Sequence, residues 1–298
     1  MDSRTALRTA EAEILQLKGH IVDVIDVARP RDLQGALELA RIISKLSPLV
    51  GNLLEYTVAQ YLNASHTWPS GCRWVRQDPD FPDIVLRGLP GRPTGVEIKT
   101  WFPLATEITA RFRDSQTILK TNHTKVAMVC WVPEHIVAGR PQIVDVWVDD
   151  AMNVAKARDT HYHSPPDYVV MEPEDTTART RNLQQTNCTG HRFQGSSREF
   201  ARAQAFVDAW GKRAKVYRPD RGYQTQLRQL TGRFPYRLDT NFAKMDRIVL
   251  PSLEEFKARV LQTRCAGLTL EEWTKALARE DPEALSALVD PSPPAVVG

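Results

Sequence analysis

The chain predicts an α/β protein: a mixed β-sheet flanked by helices, with helical additions at its N- and C-terminal ends. Three observations carry this. Two apolar runs of strand length, residues 84–86 and 96–98, flank a stretch dense in Gly and Pro, as in a hairpin. Two longer runs, KVAMVCWV at 125–132 and IVDVWV at 143–148, are apolar almost throughout, which suits central strands covered on both faces. Before residue 63 and after residue 252, apolar positions recur at the helical period.

Taken in order, Leu7, Ala10, Ile14, Leu17, Ile21, Val24 and Ile25 place one amphipathic helix over 4–28, weakened by Gly19 and ended by Pro30. A second spans 32–46, with Leu33, Leu37, Ala40, Ile43 and Leu46 on one face. Ser47 and Pro48 read as N-cap and first residue of a third helix, over 49–62. Within it Glu55 has Leu53, Leu54 and Val58 for company, an apolar setting for a carboxylate; it reads equally as part of the polar stripe. Residues 63–78 give a turn and a first short strand, and 106–119, carrying Arg111 and Arg113, a helix or loop. A strand at 168–171 precedes a polar segment rich in amides and hydroxyls. A helix follows at 200–210, with Ala203, Phe206, Val207 and Trp210 on one face, then a basic, aromatic stretch over 211–245. Acidic helices occupy 253–261 and 270–285, the second capped by Thr269, and PSPPAVVG forms an extended tail.

With 42% hydrophobic and 25% charged residues the composition is that of a globular chain, which argues against global disorder. The 298 residues read as a single domain in four parts: 1–47 helical, 48–175 the core, 176–245 a basic region, 246–298 helices and tail. Cys72, Cys130, Cys188 and Cys265 form no CxxC pair, and no apolar signal segment opens the chain. A reducing cytoplasm is the expected setting. No run of about 18 apolar residues occurs, so no membrane span is expected.

The net charge of +3 conceals an uneven distribution. Residues 176–237 hold thirteen Lys and Arg against Glu199, Asp208 and Asp220. Such cations neutralise DNA phosphates, while Arg, Gln and Asn have the geometry to read base edges. Arg181, Gln184, Gln185 and Asn187 are the expected base-readers, with Arg192, Arg111 and Arg113 as further DNA contacts. A solvated loop followed by a basic helix would carry the same charge.

The chemistry concentrates in PDIVLRGLPGRPTGVEIK, residues 82–99. Residues two apart on a strand share a face, so Glu97 and Lys99 lie on one side and Val96 and Ile98 on the other. Hairpin pairing then sets Asp83 beside Glu97. Two carboxylates suit a hard cation such as Mg2+, which needs only one or two when phosphate and water complete its shell. A lysine beside that ion can hold or deprotonate the attacking water.

Pro82-Asp83 followed by Glu97-x-Lys99 resembles the PD-(D/E)xK nuclease superfamily, and the whole chain resembles a type II restriction endonuclease. Pro79-Asp80 is a competing Pro-Asp, but Phe-Pro follows it rather than a strand. The resemblance implies a restriction-endonuclease-like core and Mg2+-dependent, site-specific hydrolysis of phosphodiester bonds in double-stranded DNA, leaving 5'-phosphates. Asp83 and Glu97, with the Ile98 carbonyl, would hold the metal; Lys99 would activate the water and Glu55 would assist. A homodimer matching a palindromic site and a cognate DNA methyltransferase are the implied partners. The rival expectations are a repair or modification-dependent endonuclease on the same core, and a non-catalytic DNA-binding protein whose motif is incidental.

Overall fold

The computed structural model describes residues 1–77, 80–91, 93–105, 108–114, 116, 119–162, 165–171, 189–216, 218, 220–239 and 243–290. In chain order the elements that matter are helices α1 (Ser3–Leu15), α2 (Leu33–Ile42) and α3 (Ser47–Ser65). Strands β1 (Arg73–Arg76), β2 (Ile84–Arg87), β3 (Gly95–Trp101), β4 (Thr124–Pro133) and β5 (Pro141–Asp150) follow. Then come α4 (Ala151–Tyr162), β6 (Tyr168–Met171), β7 (Thr189–Phe193), α5 (Ser197–Asp208), α6 (Arg221–Arg233) and β8 (Tyr236–Leu238). After α7 (Pro251–Leu261), a small two-stranded ribbon of β9 (Arg264–Cys265) and β10 (Leu268–Thr269) leads into α8 (Leu270–Arg279) and α9 (Pro282–Ser286). The chain forms two compact units that interleave along the sequence. Met1–Ile108, Lys125–Val148 and Ser252–Gly298 make the first, Thr109–Thr124 and Asp149–Pro251 the second.

The first unit is built on a mixed five-stranded sheet in the order β1-β2-β3-β4-β5, flanked by helices. Trp74 lies opposite Leu86 and Ile84 opposite Val96, so β1, β2 and β3 run antiparallel in turn. Gly88, at φ +89°, makes the turn out of β2, a backbone conformation that side-chain-bearing residues avoid. On one face Leu54, Val58 and Leu62 of α3 pack on Trp74, Ile84, Val96, Ile98 and Trp131. Helix α3 comes so close to β3 that a Cβ on Gly51 would stand 3.1 Å from Thr100 Oγ1. On the other face Trp101 meets Phe256 of α7, ring centroids 5.9 Å apart. Among the described residues no helix is long and apolar enough to cross a membrane.

Several elements differ from expectation. The helix over 4–28 stops at Leu15, because Gly19 takes φ +85° and the chain then runs beside the start of β5. Val22 N–H donates to the Pro141 carbonyl and Ile143 N–H to that of His20, both at 2.8 Å. Val22 is therefore buried while Ile21, placed on the apolar face by the helical period, is 42% exposed. Ser47 does not cap α3, since residues 43–46 form a 3-10 turn that feeds straight into it. The helix over 270–285 is two, broken where Glu280 turns left-handed and Pro282 begins α9. Thr269 caps α8 as expected, within a capping box closed by Glu272.

The second unit has its own three-stranded antiparallel sheet, β6-β7-β8, and its own core of Val169, Ala203, Val207, Tyr223, Leu227 and Leu230. Helix α5 matches the segment expected over 200–210, capped by Ser196 with Glu199. Helices α4 and α6 and strand β7 were not foreseen. Inside the unit Arg158 and Asp159 are fully buried and pair at 2.6 Å. Arg158 also donates to the Phe112 and Asp114 carbonyls and Gln116 to Asp159, which ties the 112–116 loop to α4.

Candidate active site

Alternation along β3 sorts its side chains as the period of two requires. Val96 and Ile98 enter the apolar core, while Glu97 and Lys99 share the opposite face. Because Ile84 stands opposite Val96, the residue just before β2, Asp83, falls across from Glu97. Its backbone is anchored from the residue after β1: Gln77 N–H donates to the Asp83 carbonyl at 2.8 Å and the Gln77 amide to the Pro82 carbonyl at 2.9 Å. Gly95 makes the close approach possible: a Cβ there would overlap the Ile84 carbonyl oxygen and the Pro82 ring.

These constraints bring three ionisable side chains together. Asp83 N–H donates to Glu97 Oε2 at 3.2 Å, and Ile98 N–H donates to Asp83 Oδ2 at 2.6 Å. Lys99 Nζ hydrogen-bonds Glu97 Oε1 and lies 3.9 Å from Asp83 Oδ2. One ammonium thus serves two carboxylates. Burial pushes the Asp83 carboxyl up to about 7. Lys99 pulls it down and the Glu97 charge adds to the rise. The side chains keep 20%, 9% and 16% exposure for Asp83, Glu97 and Lys99, so the group is reachable from solvent.

Glu55 belongs to the neighbourhood but not to the trio. Helix α3 aims it at Arg76 of β1, and the two pair at 2.8 Å. Burial, then the Asp83 charge, raises its carboxyl above the usual range, with Arg76 opposing. Arg76, which also reaches Asn52 at 3.4 Å, is the residue the sequence reading missed. Its alternation with Trp74 points it toward α3, yet nothing in the sequence pairs it with Glu55. Among the described residues no group of three or more His, Cys, Asp or Glu side chains is arranged around one cation point. Asp83 and Glu97 offer two carboxylates, the number Mg2+ asks of a protein when phosphate and water supply the rest.

The expected DNA contacts divide. Arg181, Gln184, Gln185 and Asn187 lie outside the described residues. Arg111 and Arg113 sit in the second unit, where the Arg111 backbone pairs antiparallel with that of Lys244; burial and the Arg111 charge hold the Arg113 guanidinium below its ordinary value. Arg192 is exposed on β7, directly opposite Arg237 of β8. No protein-family model matches the chain, and no significant match joins it to a curated protein or a solved structure.

Proposed function

We propose that this protein is a type II restriction endonuclease with a restriction-endonuclease-like core, hydrolysing phosphodiester bonds at a specific duplex DNA sequence with Mg2+. The observation that carries this reading is the convergence of Asp83, Glu97 and Lys99 across one antiparallel pair. Asp83 and Glu97, with the Ile98 carbonyl, would hold the ion. The donor set fits, being hard carboxylate oxygens set side by side, one of them on a carboxyl that burial pushes up to about 7. Bound there, Mg2+ supplies positive charge to the scissile phosphate and the leaving 3'-oxygen.

The protein's own groups do the rest. Lys99, a point charge beside both carboxylates, would hold and activate the attacking water. Ile98 N–H fixes the Asp83 carboxylate, so the acid does not swing when charge changes beside it. Glu55 and Arg76 form a second rank. Their ion pair opposes the rise that burial imposes on the Glu55 carboxyl and steadies the end of β1 next to Asp83. One such site per chain and two strands to cut call for a two-fold dimer, and a cell carrying this activity needs a methyltransferase to protect its own sites.

Purified protein incubated with phage DNA and Mg2+ tests the reading. Discrete fragments with 5'-phosphate ends are the expected result, and intact DNA across salt and metal conditions would refute it. Lys99→Ala separates a nuclease from a simple DNA binder: it abolishes cutting in the first and changes nothing in the second.

A further inference from the structure

In the second unit's sheet the register puts two arginines face to face, with no acidic partner for either among the described residues. Arg192 of β7 lies opposite Arg237 of β8. Asp239 N–H donates to the Gly190 carbonyl and Gln194 N–H to that of Pro235, both at 2.8 Å. The arginine pair sits midway between these, so it is a hydrogen-bonded position of the ladder, with Cα atoms about 5.5 Å apart. Like charges so placed destabilise a sheet, and proteins ordinarily separate them. Here neither guanidinium has an ion-pair or hydrogen-bond partner among the described residues, and both side chains are exposed. Asp239, two residues past Arg237 and so on the same face, is engaged by Arg247 at 3.4 Å.

The rest of the sheet explains why the pair is open. Val169, Phe193 and Tyr236 face the core under α5 and α6, which leaves Tyr168, Arg192 and Arg237 as one row across the opposite face. Tyr168 at the β6 end is buried, while the two arginines at the β7–β8 end stay accessible. Two guanidinium forks rising side by side from neighbouring strands match the oxygens of one phosphate, each able to donate two parallel hydrogen bonds.

We infer that Arg192 and Arg237 form a clamp for a single backbone phosphate of duplex DNA, a contact that positions the duplex without reading its sequence. The inference rests on the nuclease reading for the identity of its ligand. Neutralising one phosphate releases one set of condensed counterions, so the clamp adds about 0.9 to the salt slope of binding. Because the phosphate is shared, the two arginines contribute that slope together rather than each in full.

The test is fluorescence-anisotropy titration of a short labelled duplex, without divalent metal, over a salt series, with R192Q, R237Q and the double variant. Each variant is expected to bind roughly tenfold more weakly, with a salt slope smaller by about 0.9 in all three. R192K/R237K, which keeps the charges and loses the forks, should retain the slope. In the absence of DNA, R237Q should melt no lower than wild type, since it removes a repulsion; a structural arginine would lower it. If wild type binds duplex and the variants match it in affinity and slope, the clamp is wrong while the nuclease reading stands. A double variant that loses twice the slope of either single one overturns the shared phosphate. If wild type binds no duplex under any salt, this inference and the reading beneath it fall together.

Discussion

Two clusters of buried charge, one in each unit, are handled in opposite ways. In the second, Arg158 and Asp159 are wholly removed from solvent, yet each has the other at 2.6 Å and further hydrogen bonds to the 112–116 loop. That charge is balanced, and it pins a loop. In the first, Asp83 and Glu97 share Lys99, and burial pushes the Asp83 carboxyl up to about 7 against the pull of that lysine. A balanced pair belongs to architecture, whereas an unbalanced cluster is poised for a ligand that completes it. The exposed Arg192 and Arg237 show the same imbalance with the sign reversed.

The sharpest way to break this comparison is Lys99→Ala. With the water-holding ammonium gone, cleavage should fall by roughly 10^3-fold or more while DNA affinity stays within about a factor of three, measured by single-turnover digestion and by anisotropy. Equal loss of both would make Lys99 part of the binding surface instead. Next in size is Asp159→Asn, which leaves the Arg158 charge buried without its counter-ion. Denaturant unfolding should show a loss of about 3 kcal/mol. Gly95→Ala follows, at about 1–3 kcal/mol, because the new methyl must displace the Pro82 ring or the Ile84 carbonyl. It should also lower cleavage, since the same contact sets Asp83 against Glu97.

The smallest effect has the opposite sign and is the most telling. The folded-state pKa of Asp83 is raised from 3.8 to about 7, so between those values the folded chain holds a proton that the unfolded chain has released. Its contribution to stability is fully present below 3.8 and is lost as pH rises through about 7. Asp83→Asn keeps an oxygen for the Ile98 N–H and removes that loss. In metal-free buffer at pH 8 the variant should melt roughly 3–6 °C above wild type, and near pH 4 the two should converge. A lower melting temperature at pH 8 would mean that Lys99 already compensates the acid in full.

Much of the first unit was legible. Gly and Pro between two short apolar runs announced the hairpin, and alternation through Val96, Glu97, Ile98 and Lys99 fixed which side chains share a face. The strands β4 and β5 showed as runs apolar almost throughout because both their faces are covered. Helix α4 left no such trace, since its centre buries Arg158 and Asp159, residues that a hydrophobic pattern assigns to solvent. Helix α6 was obscured by its basic face: Tyr223, Leu227 and Leu230 keep the helical period, but arginines and glutamines surround them. The first helix was overextended because apolar spacing persisted past Gly19, where pairing with the start of β5 decides the path. The Glu55–Arg76 pair depends on packing between α3 and β1, and no local signal encodes it.

The most direct measurement is a crystal structure with Mn2+, read at the metal's anomalous edge. A single strong peak bonded to carboxylate oxygens of both Asp83 and Glu97, at about 2.1–2.2 Å, with Lys99 turned aside, is the expected result. A peak elsewhere, or none with Lys99 still bridging the two acids, would contradict it.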